Sequence, residues 1–119
     1  MKKGICLGSL PKDWSPEERL SLAKSAGYHG VEIGTLTDAD ERAHVAACAR
    51  KLDLELPSIM ASGHWANPLS SPDEAVRQAG LTNIRDSVDT AVREPSRYVL
   101  QANQRNIWVA VFRQRMMVS

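Results

Sequence analysis

Several common signatures of function are absent from this sequence of 119 residues. Its glycines occur singly, which excludes both the glycine-rich dinucleotide fingerprint and the phosphate-binding loop. It has no Gly-x-Ser-x-Gly elbow, no His-Glu-x-x-His motif and no Cys-x-x-Cys pair, which excludes a hydrolase elbow and the common zinc motifs. No apolar run approaches the roughly 20 residues that a membrane helix needs. The function therefore has to be inferred from the pattern of the whole chain.

Cysteine is scarce, with only Cys6 and Cys48 in the chain. Cys6 lies in an apolar run and Cys48 on the expected buried stripe of a helix, which predicts two reduced, buried thiols rather than a disulfide framework or a metal site. The N-terminus carries Lys2 and Lys3, but its apolar run is soon broken by glycine and Pro11. We therefore expect a mature cytoplasmic protein.

Lysine is missing from residues 93–119, and no aspartate follows Asp89. The net charge is +1, but residues 1–92 hold ten basic and thirteen acidic side chains, whereas residues 93–119 hold five arginines and Glu94. The composition, 43% hydrophobic and 24% charged, is otherwise typical of a globular domain. The shift in charge predicts a boundary near residue 93, with an atypical arginine-rich tail after it.

Residues 1–92 contain three repeats of a strand–loop–helix pattern. Strands are expected at Ile5–Leu7, Gly30–Gly34 and Glu55–Met60, and helices at Pro16–Ala26, Ala39–Leu52 and Pro72–Val92. Short strands that alternate with helices of this length predict βαβ units and a parallel sheet. This α/β arrangement fits either a doubly wound sheet or part of a (β/α)8 barrel.

Two of the expected helices begin with nearly the same residues, Ser15–Glu18 and Ser71–Glu74. In each, serine can cap free backbone N–H groups, proline takes the first helical position, and a glutamate three residues later can bond back to the cap. We therefore expect a capping box at both starts. The third helix is expected to bury an apolar stripe of Val76, Ala79, Ile84, Val88 and Val92.

Polar and aromatic side chains lie near the ends of the three strands. Trp14 is in the loop after the first strand, Glu32 at the end of the second, and His64 and Trp65 in the loop after the third. The carboxyl ends of parallel strands meet at one rim, where indoles can pack on C–H faces and charged groups can bond hydroxyls, as a sugar requires. The alternatives are a buried ion pair for Glu32, a structural role for His64 and a lid over the core for Trp65.

Four segments within residues 1–92 carry a family resemblance. They are Gly4–Gly8, Ala26–Ile33, Leu56–Met60 followed by His64–Trp65, and Pro68–Asp73. Together they resemble the N-terminal portion of the sugar phosphate isomerase/epimerase family, the xylose isomerase-like TIM barrels. The resemblance implies three or four N-terminal βα units of an incomplete (β/α)8 barrel.

The resemblance also implies an activity. Enzymes of this family move a proton next to a sugar carbonyl with the help of a divalent metal, and the small-molecule partner would be a sugar phosphate. Their metal ligands and catalytic residues come from later strands, so the resemblance assigns no metal ligand, catalytic residue or cofactor to this chain. Glu32, His64 and Trp65 match positions on the substrate side of the rim, and Trp14 joins them by its loop position. We expect a fragment that is inactive alone.

The resemblance ends after Val92. Where the family has a turn and a fourth strand, the chain reads Arg93–Leu100, and the remainder matches no family segment. One hypothesis is a shifted reading frame. The other is a genuine ending, in which Tyr98–Leu100 forms a fourth strand and Ile107–Phe112 a further β segment or a helix.

Two other classes of function remain as alternatives, and the chain is also expected to associate with itself. A small module could bind a sugar phosphate, or another partner, without turnover. Nucleic-acid binding through the arginine-rich tail is the least favoured alternative, because the body of the chain is net acidic. An incomplete barrel would also leave a parallel sheet edge exposed, which predicts self-association through that edge.

Overall fold

A computed structural model describes residues 1–61, 63–93, 98–102 and 108–112 of the chain, the last two ranges as backbone only. Five strands and three α-helices follow one another, with a short 3-10 turn at Leu7–Ser9. The strands are β1 (Gly4–Cys6), β2 (Gly30–Gly34), β3 (Ser58–Met60), β4 (Tyr98–Ala102) and β5 (Trp108–Phe112). The helices are α1 (Pro16–Ser25), α2 (Ala39–Lys51) and α3 (Glu74–Arg93).

The strands form one sheet in the order β1-β2-β3-β4-β5, with β1 to β4 parallel and β5 antiparallel to β4. Strand order therefore follows chain order. A doubly wound sheet reverses its strand order at a switch point, whereas sequential parallel strands with right-handed crossovers place their helices on one face. The observed strand order therefore favours part of a (β/α)8 barrel over a doubly wound sheet, the two arrangements that the sequence allowed.

The third strand is shorter than expected, because it begins at Ser58 rather than at Glu55. Pro57 has no N–H to give to a ladder, and Glu55 is joined to Gly30 only through an isolated bridge. Strands β4 and β5 lie where the second hypothesis for the tail placed them. The division of the chain at residue 93 and the origin of the tail stay predictions.

One face of the sheet packs against the helices to form the core. Val31, Ile33 and Ile59 are at most 1% exposed, and they pack with residues of all three helices. The helical members of this core are Leu20, Ala23, Val45, Cys48, Ala49 and Ala91. Glu32 and Met60 alternate with these strand residues and are only half buried. In a closed barrel their face of the sheet is the interior.

The capping box expected at α1 is confirmed. The Glu18 N–H donates to Oγ of Ser15 at 3.1 Å, and the Ser15 N–H donates to Oε2 of Glu18 at 2.7 Å. Proline at position 16 then starts the helix, as its fixed φ favours.

The capping box expected at α3 is wrong. The helix starts two residues later than expected, at Glu74, and Oδ1 of Asp73 accepts from the N–H groups of Ala75 and Val76 at 2.8 and 3.4 Å. The Ser71 hydroxyl accepts the Asp73 N–H, outside the helix. Aspartate is among the best N-cap residues and can displace the serine, whereas α1 has a glutamate at the corresponding position.

The apolar stripe expected on α3 is also partly wrong. Val92 is 52% exposed, and the other four members of the stripe are partly buried, with Val88 packed against the core. The buried residues of the helix are Gly80, Ser87, Thr90 and Ala91. Polar residues occupy this face because their hydroxyls form hydrogen bonds, which the next subsection describes. Within the described ranges, no helix is both long and apolar enough to cross a bilayer.

Candidate functional site

The residues predicted to form the site lie near the carboxyl ends of three adjacent parallel strands. Trp14 precedes α1 and is 42% exposed, and Trp65 lies in the turn after β3 and is 69% exposed. His64 is half buried beside it. Glu32 is the third of the five residues of β2, rather than at its end as expected. The topology directs the loops of β1 and β3 to the edge of the sheet where β2 also ends.

Glu32 is held by a neighbouring strand. The Ser58 hydroxyl of β3 donates to Oε2 of Glu32 at 2.6 Å, and Ser58 is 8% exposed. Hydrogen bonds to an ionised carboxylate are stronger than neutral ones, so this bond orients the side chain. No arginine among the described residues pairs with Glu32. The buried ion pair considered as an alternative is therefore absent from that part of the chain, and Oε1 has no hydrogen-bond partner among the described residues.

His64 is oriented by the backbone of its own turn. Its Nδ1 is 2.8 Å from the carbonyl oxygen of Ala61, and because a carbonyl only accepts, Nδ1 carries the proton. In the neutral ring, Nε2 is then a bare acceptor. Nε2 is buried and has no partner among the described residues. The Trp65 ring lies against the imidazole, with 4.9 Å between ring centroids and 44° between ring planes.

The turn that carries His64 is clamped against α3 by two glycines. Gly63 has φ +81°, a conformation that side chains disfavour, and an added Cβ would lie 2.4 Å from Nδ2 of Asn83. A Cβ on Gly80 of α3 would lie 2.5 Å from the carbonyl oxygen of Asn67. The close approach needs glycine on both sides of the contact. This close contact fixes the position of the turn that carries His64 relative to α3.

Two hydroxyls of α3 that the sequence analysis missed fix the loop after β2. Ser87 and Thr90 are both 0% exposed. Oγ of Ser87 is 2.6 Å from Oγ1 of Thr35, and Oγ1 of Thr90 accepts the Leu36 N–H at 3.2 Å. The only sequence signal is a serine and a threonine three positions apart on one helix, which is equally typical of a solvent-facing surface.

A cavity of about 330 Å³ lies beside this contact, between the loop after β2, α2 and α3. Its lining includes Arg42, Asp86, Asp89 and Arg93. Arg42 donates to the Leu36 carbonyl at 2.8 Å, and Arg93 pairs with Asp89 at 3.7 Å. The charges of the lining are thus partly compensated, and none of the four predicted site residues belongs to it.

The rim does not fit the divalent metal that the resemblance implies for the full-length family. Among the described residues, no three metal-ligating side chains meet at the rim. Glu32 already accepts from Ser58, and His64 has only Nε2 available. We therefore derive no reaction step through a metal. The three ligating side chains that do meet belong to the helix layer: Glu17, His44 and Cys48.

Two curated proteins are similar in sequence to this chain. A putative L-ribulose-5-phosphate 3-epimerase, SgbU of Haemophilus influenzae, is 29% identical over 101 residues, which cover 76% of this chain and 35% of that protein. The L-ribulose-5-phosphate 3-epimerase UlaE of Salmonella paratyphi B is 33% identical over 98 residues, which cover 74% and 34%. These likenesses support the sugar phosphate isomerase/epimerase family for the N-terminal portion of the chain.

A solved structure shows the same fold within a much larger chain. It is a xylose isomerase-like TIM barrel/4-hydroxyphenylpyruvate dioxygenase fusion protein, which superposes with a TM-score of 0.59 over 90% of this chain and 17% of its own. At 18% identity this likeness concerns the fold alone. No protein-family model matches the chain. The chain spans about a third of the length of the curated relatives it matches. Its fold is that of part of a TIM barrel, as the sequence predicted.

Proposed function

We propose that this chain forms part of the sugar-phosphate-binding rim of an isomerase or epimerase, and that it binds substrate without turning it over by itself. The observation that carries the proposal is the bare, buried Nε2 of His64, oriented by Ala61 and flanked by the Trp65 ring. Buried polar atoms normally have a partner, so an unpaired acceptor at the rim is explained by a ligand that donates to it. The two relatives are named as L-ribulose-5-phosphate 3-epimerases, which supports a pentulose phosphate as the ligand class.

The arrangement suits contacts to a sugar. Nε2 of His64 and Oε1 of Glu32 are both acceptors, so each can take a hydrogen bond from a hydroxyl. The exposed indole of Trp65 offers an apolar face to the C–H bonds of the carbon chain. In this proposal Glu32, His64 and Trp65 contact and orient the substrate. Trp14, 42% exposed in the loop after β1, is the outermost member of the set.

Inactivity of the chain alone follows from the share of the barrel that it contains. Epimerisation next to a carbonyl removes a proton from carbon and returns one, which needs a positioned base, an acid and stabilisation of the oxyanion. The relatives are enzymes about three times as long as the matched region. In the family that the chain resembles, the catalytic groups come from strands beyond this region. The expected divalent cofactor likewise belongs to those strands in this proposal.

Binding of L-ribulose 5-phosphate to the 119-residue chain, measured by calorimetry or ligand-detected NMR, tests the proposal. We expect His64→Phe to weaken binding about tenfold, because it keeps a ring beside Trp65 and removes one hydrogen-bond acceptor, worth roughly 1.4 kcal/mol. His29→Phe is the control, since His29 is exposed and its Nδ1 accepts the Lys3 N–H, away from the rim residues. Equal affinity of the His64 and His29 variants would contradict the assignment.

Exchange of the substrate C–H for solvent deuterium tests the second half of the proposal. We expect no exchange above the rate without protein. Catalysed exchange that His64→Phe abolishes would show that the chain is active alone and would overturn the proposed inactivity, while leaving the binding site intact.

We further propose that the chain self-associates through the open parallel edge of its sheet, where β1 pairs with β2 alone among the described strands. The half-buried face with Glu32 and Met60 is the barrel interior in the complete fold. Sedimentation velocity is expected to show species larger than 13.1 kDa. A single monomeric species would contradict this. The nucleic-acid alternative depends on the five arginines of residues 93–119. Arg93 ends α3 and pairs with Asp89, whereas the other four lie outside the described residues: Arg97, Arg105, Arg113 and Arg115. The cytoplasmic location stays a prediction.

A further inference from the structure

Three side chains of types that ligate metals converge between α1 and α2, in the helix layer. Glu17 lies in the first turn of α1, and His44 and Cys48 lie one turn apart on α2. Their ligand atoms are all within 4.8 Å of one another. We propose that Glu17, His44 and Cys48 form a zinc-type metal site that joins the two helices. This site is independent of the function proposed for the rim.

The separation of the two ligands on α2 matches a tetrahedral site. Nε2 of His44 is 3.7 Å from Sγ of Cys48. Zn–S bonds of about 2.3 Å and Zn–N bonds of about 2.0–2.1 Å at the tetrahedral angle place these atoms about 3.6 Å apart. Both side chains are therefore already at the spacing that the ion requires. A carboxylate oxygen of the exposed Glu17 would need to move by only about 1 Å to complete the set.

The chemistry of the three groups selects the class of metal. A thiolate and an imidazole favour zinc and similar transition ions over magnesium or calcium, which prefer oxygen ligands. On binding, the Cys48 S–H bond breaks, its proton passes to solvent and an S–Zn bond forms without any change of oxidation state. Three protein ligands leave the fourth position to water.

Burial and helix geometry also fit an ion that enters from solvent. Cys48 is 8% exposed, at the base of the site, while Glu17 and His44 are exposed. Residues four apart lie on one face of a helix, so the backbone of α2 holds the imidazole and the thiol together. Glu17 comes from the other helix, and the ion would therefore cross-link α1 to α2. The sequence signal for this site is His-x-x-x-Cys, which the sequence analysis did not interpret as a ligand pair.

The test uses the full 119-residue chain with Co²⁺ and Zn²⁺ as probes. We expect Co²⁺ to produce the thiolate-to-cobalt charge-transfer absorption of a tetrahedral site, and one Zn²⁺ per chain to bind and raise the midpoint of thermal unfolding. Because loss of a partner that merely orients a ligand costs about 10–100-fold in metal affinity, His44→Gln should weaken Zn²⁺ binding at least tenfold. Cys48→Ser should abolish the charge-transfer absorption.

Matched variants separate a built site from adventitious binding. Cys6→Ser removes the other thiol and should leave the cobalt spectrum unchanged. Glu17→Gln should weaken Zn²⁺ binding, whereas Glu41→Gln should not, although each removes an acidic residue from the first turn of its helix. A wild-type chain without the charge-transfer absorption, or one whose absorption survives Cys48→Ser, would overturn the proposal and leave a simple S–H···N contact.

A measurement on the unmutated chain guards against variants that fail to fold. Alkylation by iodoacetamide, mapped by peptide mass spectrometry, reports Cys48 and Cys6 separately. We expect Zn²⁺ to slow the alkylation of Cys48 at least tenfold and to leave Cys6 unaffected. Equal rates for Cys48 with and without Zn²⁺ would also overturn the proposal.

Discussion

Helices α1 and α3 begin with nearly the same residues and are held in different ways. α1 begins in a capping box around Ser15 and buries the apolar side chain of Leu20. α3 begins after Asp73 and buries the hydroxyls of Ser87 and Thr90. The likeness of the two starts predicts that a helix forms, but not which residue caps it or what chemistry its buried face has.

The difference follows from what each helix packs against. α1 contributes Leu20 and Ala23 to the apolar core with the strands and α2. α3 covers the loop after β2, whose backbone N–H and C=O groups need partners when they are buried. A helix over a strand can be apolar. A helix over an irregular segment has to bring hydrogen-bonding groups.

The largest effect is expected from the apolar contact of α1. Leu20 is 0% exposed, so Leu20→Ala should lower the free energy of unfolding by about 3 kcal/mol, within the range of about 2–5 kcal/mol for such substitutions. Urea unfolding followed by circular dichroism measures it. Val92→Ala on α3 is the control, because Val92 is 52% exposed, and its effect should be within about 0.5 kcal/mol. Equal losses would show that α3 buries the stripe that its sequence predicts.

The polar contact of α3 should contribute somewhat less. Thr90→Val keeps the shape of the side chain but leaves the Leu36 N–H without its side-chain partner, which should cost about 1–3 kcal/mol in unfolding free energy. Thr82→Val is the matched control, because Thr82 is exposed and donates to the Gln78 carbonyl one turn earlier. Urea unfolding of both variants decides. If Thr90→Val lowered the unfolding free energy no more than Thr82→Val does, the polar contact of α3 would not stabilise the fold.

Each of the two caps should contribute about 1 kcal/mol to the free energy of unfolding. Ser15→Ala should lower the free energy of unfolding by about 1 kcal/mol, and so should Asp73→Ala, because both side chains accept from N–H groups at a helix start. Ser71→Ala should cost clearly less, since its hydroxyl bonds outside the helix. If thermal unfolding ranked Ser71→Ala with Ser15→Ala and left Asp73→Ala neutral, the two starts would be equivalent after all.

The smallest effect concerns the pH dependence of the box at α1. Hydrogen bonds from Ser15, first from its backbone N–H and then from its side chain, hold the pKa of Glu18 below its ordinary value of 4.5. A lowered pKa in the folded state adds stability that is present above the ordinary value and is lost as the pH falls through the lowered one. The stability difference between wild type and Glu18→Gln should therefore shrink on acidification below pH 4.5.

Acid titration of thermal unfolding midpoints measures that difference. Glu74→Gln, which removes a carboxylate at the start of α3 outside any capping box, controls for the general effect of a negative charge near a helix N-terminus. A wild-type to Glu18→Gln difference that stays constant across this pH range would contradict the assignment.

Much of the fold follows from local patterns. Apolar runs bounded by glycine predicted β1 and β2, and the helix expected at Ala39–Leu52 matches α2 nearly to the residue. In the structure Asp38 caps it by accepting the Glu41 N–H. The predicted start of β3, at Glu55, lies three residues before the observed start at Ser58. Leucines at 54 and 56 are buried and therefore resemble strand residues, although β3 does not include them. Choosing between two α/β arrangements required strand order, which depends on long-range pairing.

The candidate site could be predicted only in part from local sequence patterns. Parallel topology is enough to place Trp14, His64 and Trp65 at loops of one edge. The protonated nitrogen of His64 and the Ser58 partner of Glu32 depend on contacts between separate segments. No local pattern reports such contacts.

The sequence by itself determined the alternation of strands and helices, the family and the residue types at the rim, because these depend on local periodicity and on short segments of likeness. Only the tertiary structure decided the strand order, the cap of α3, its polar contact with the loop after β2, and the meeting of Glu17 with His44 and Cys48. Each of these joins groups that are distant in the chain or compete for the same bond. The outcome depends on which partner the fold brings within reach.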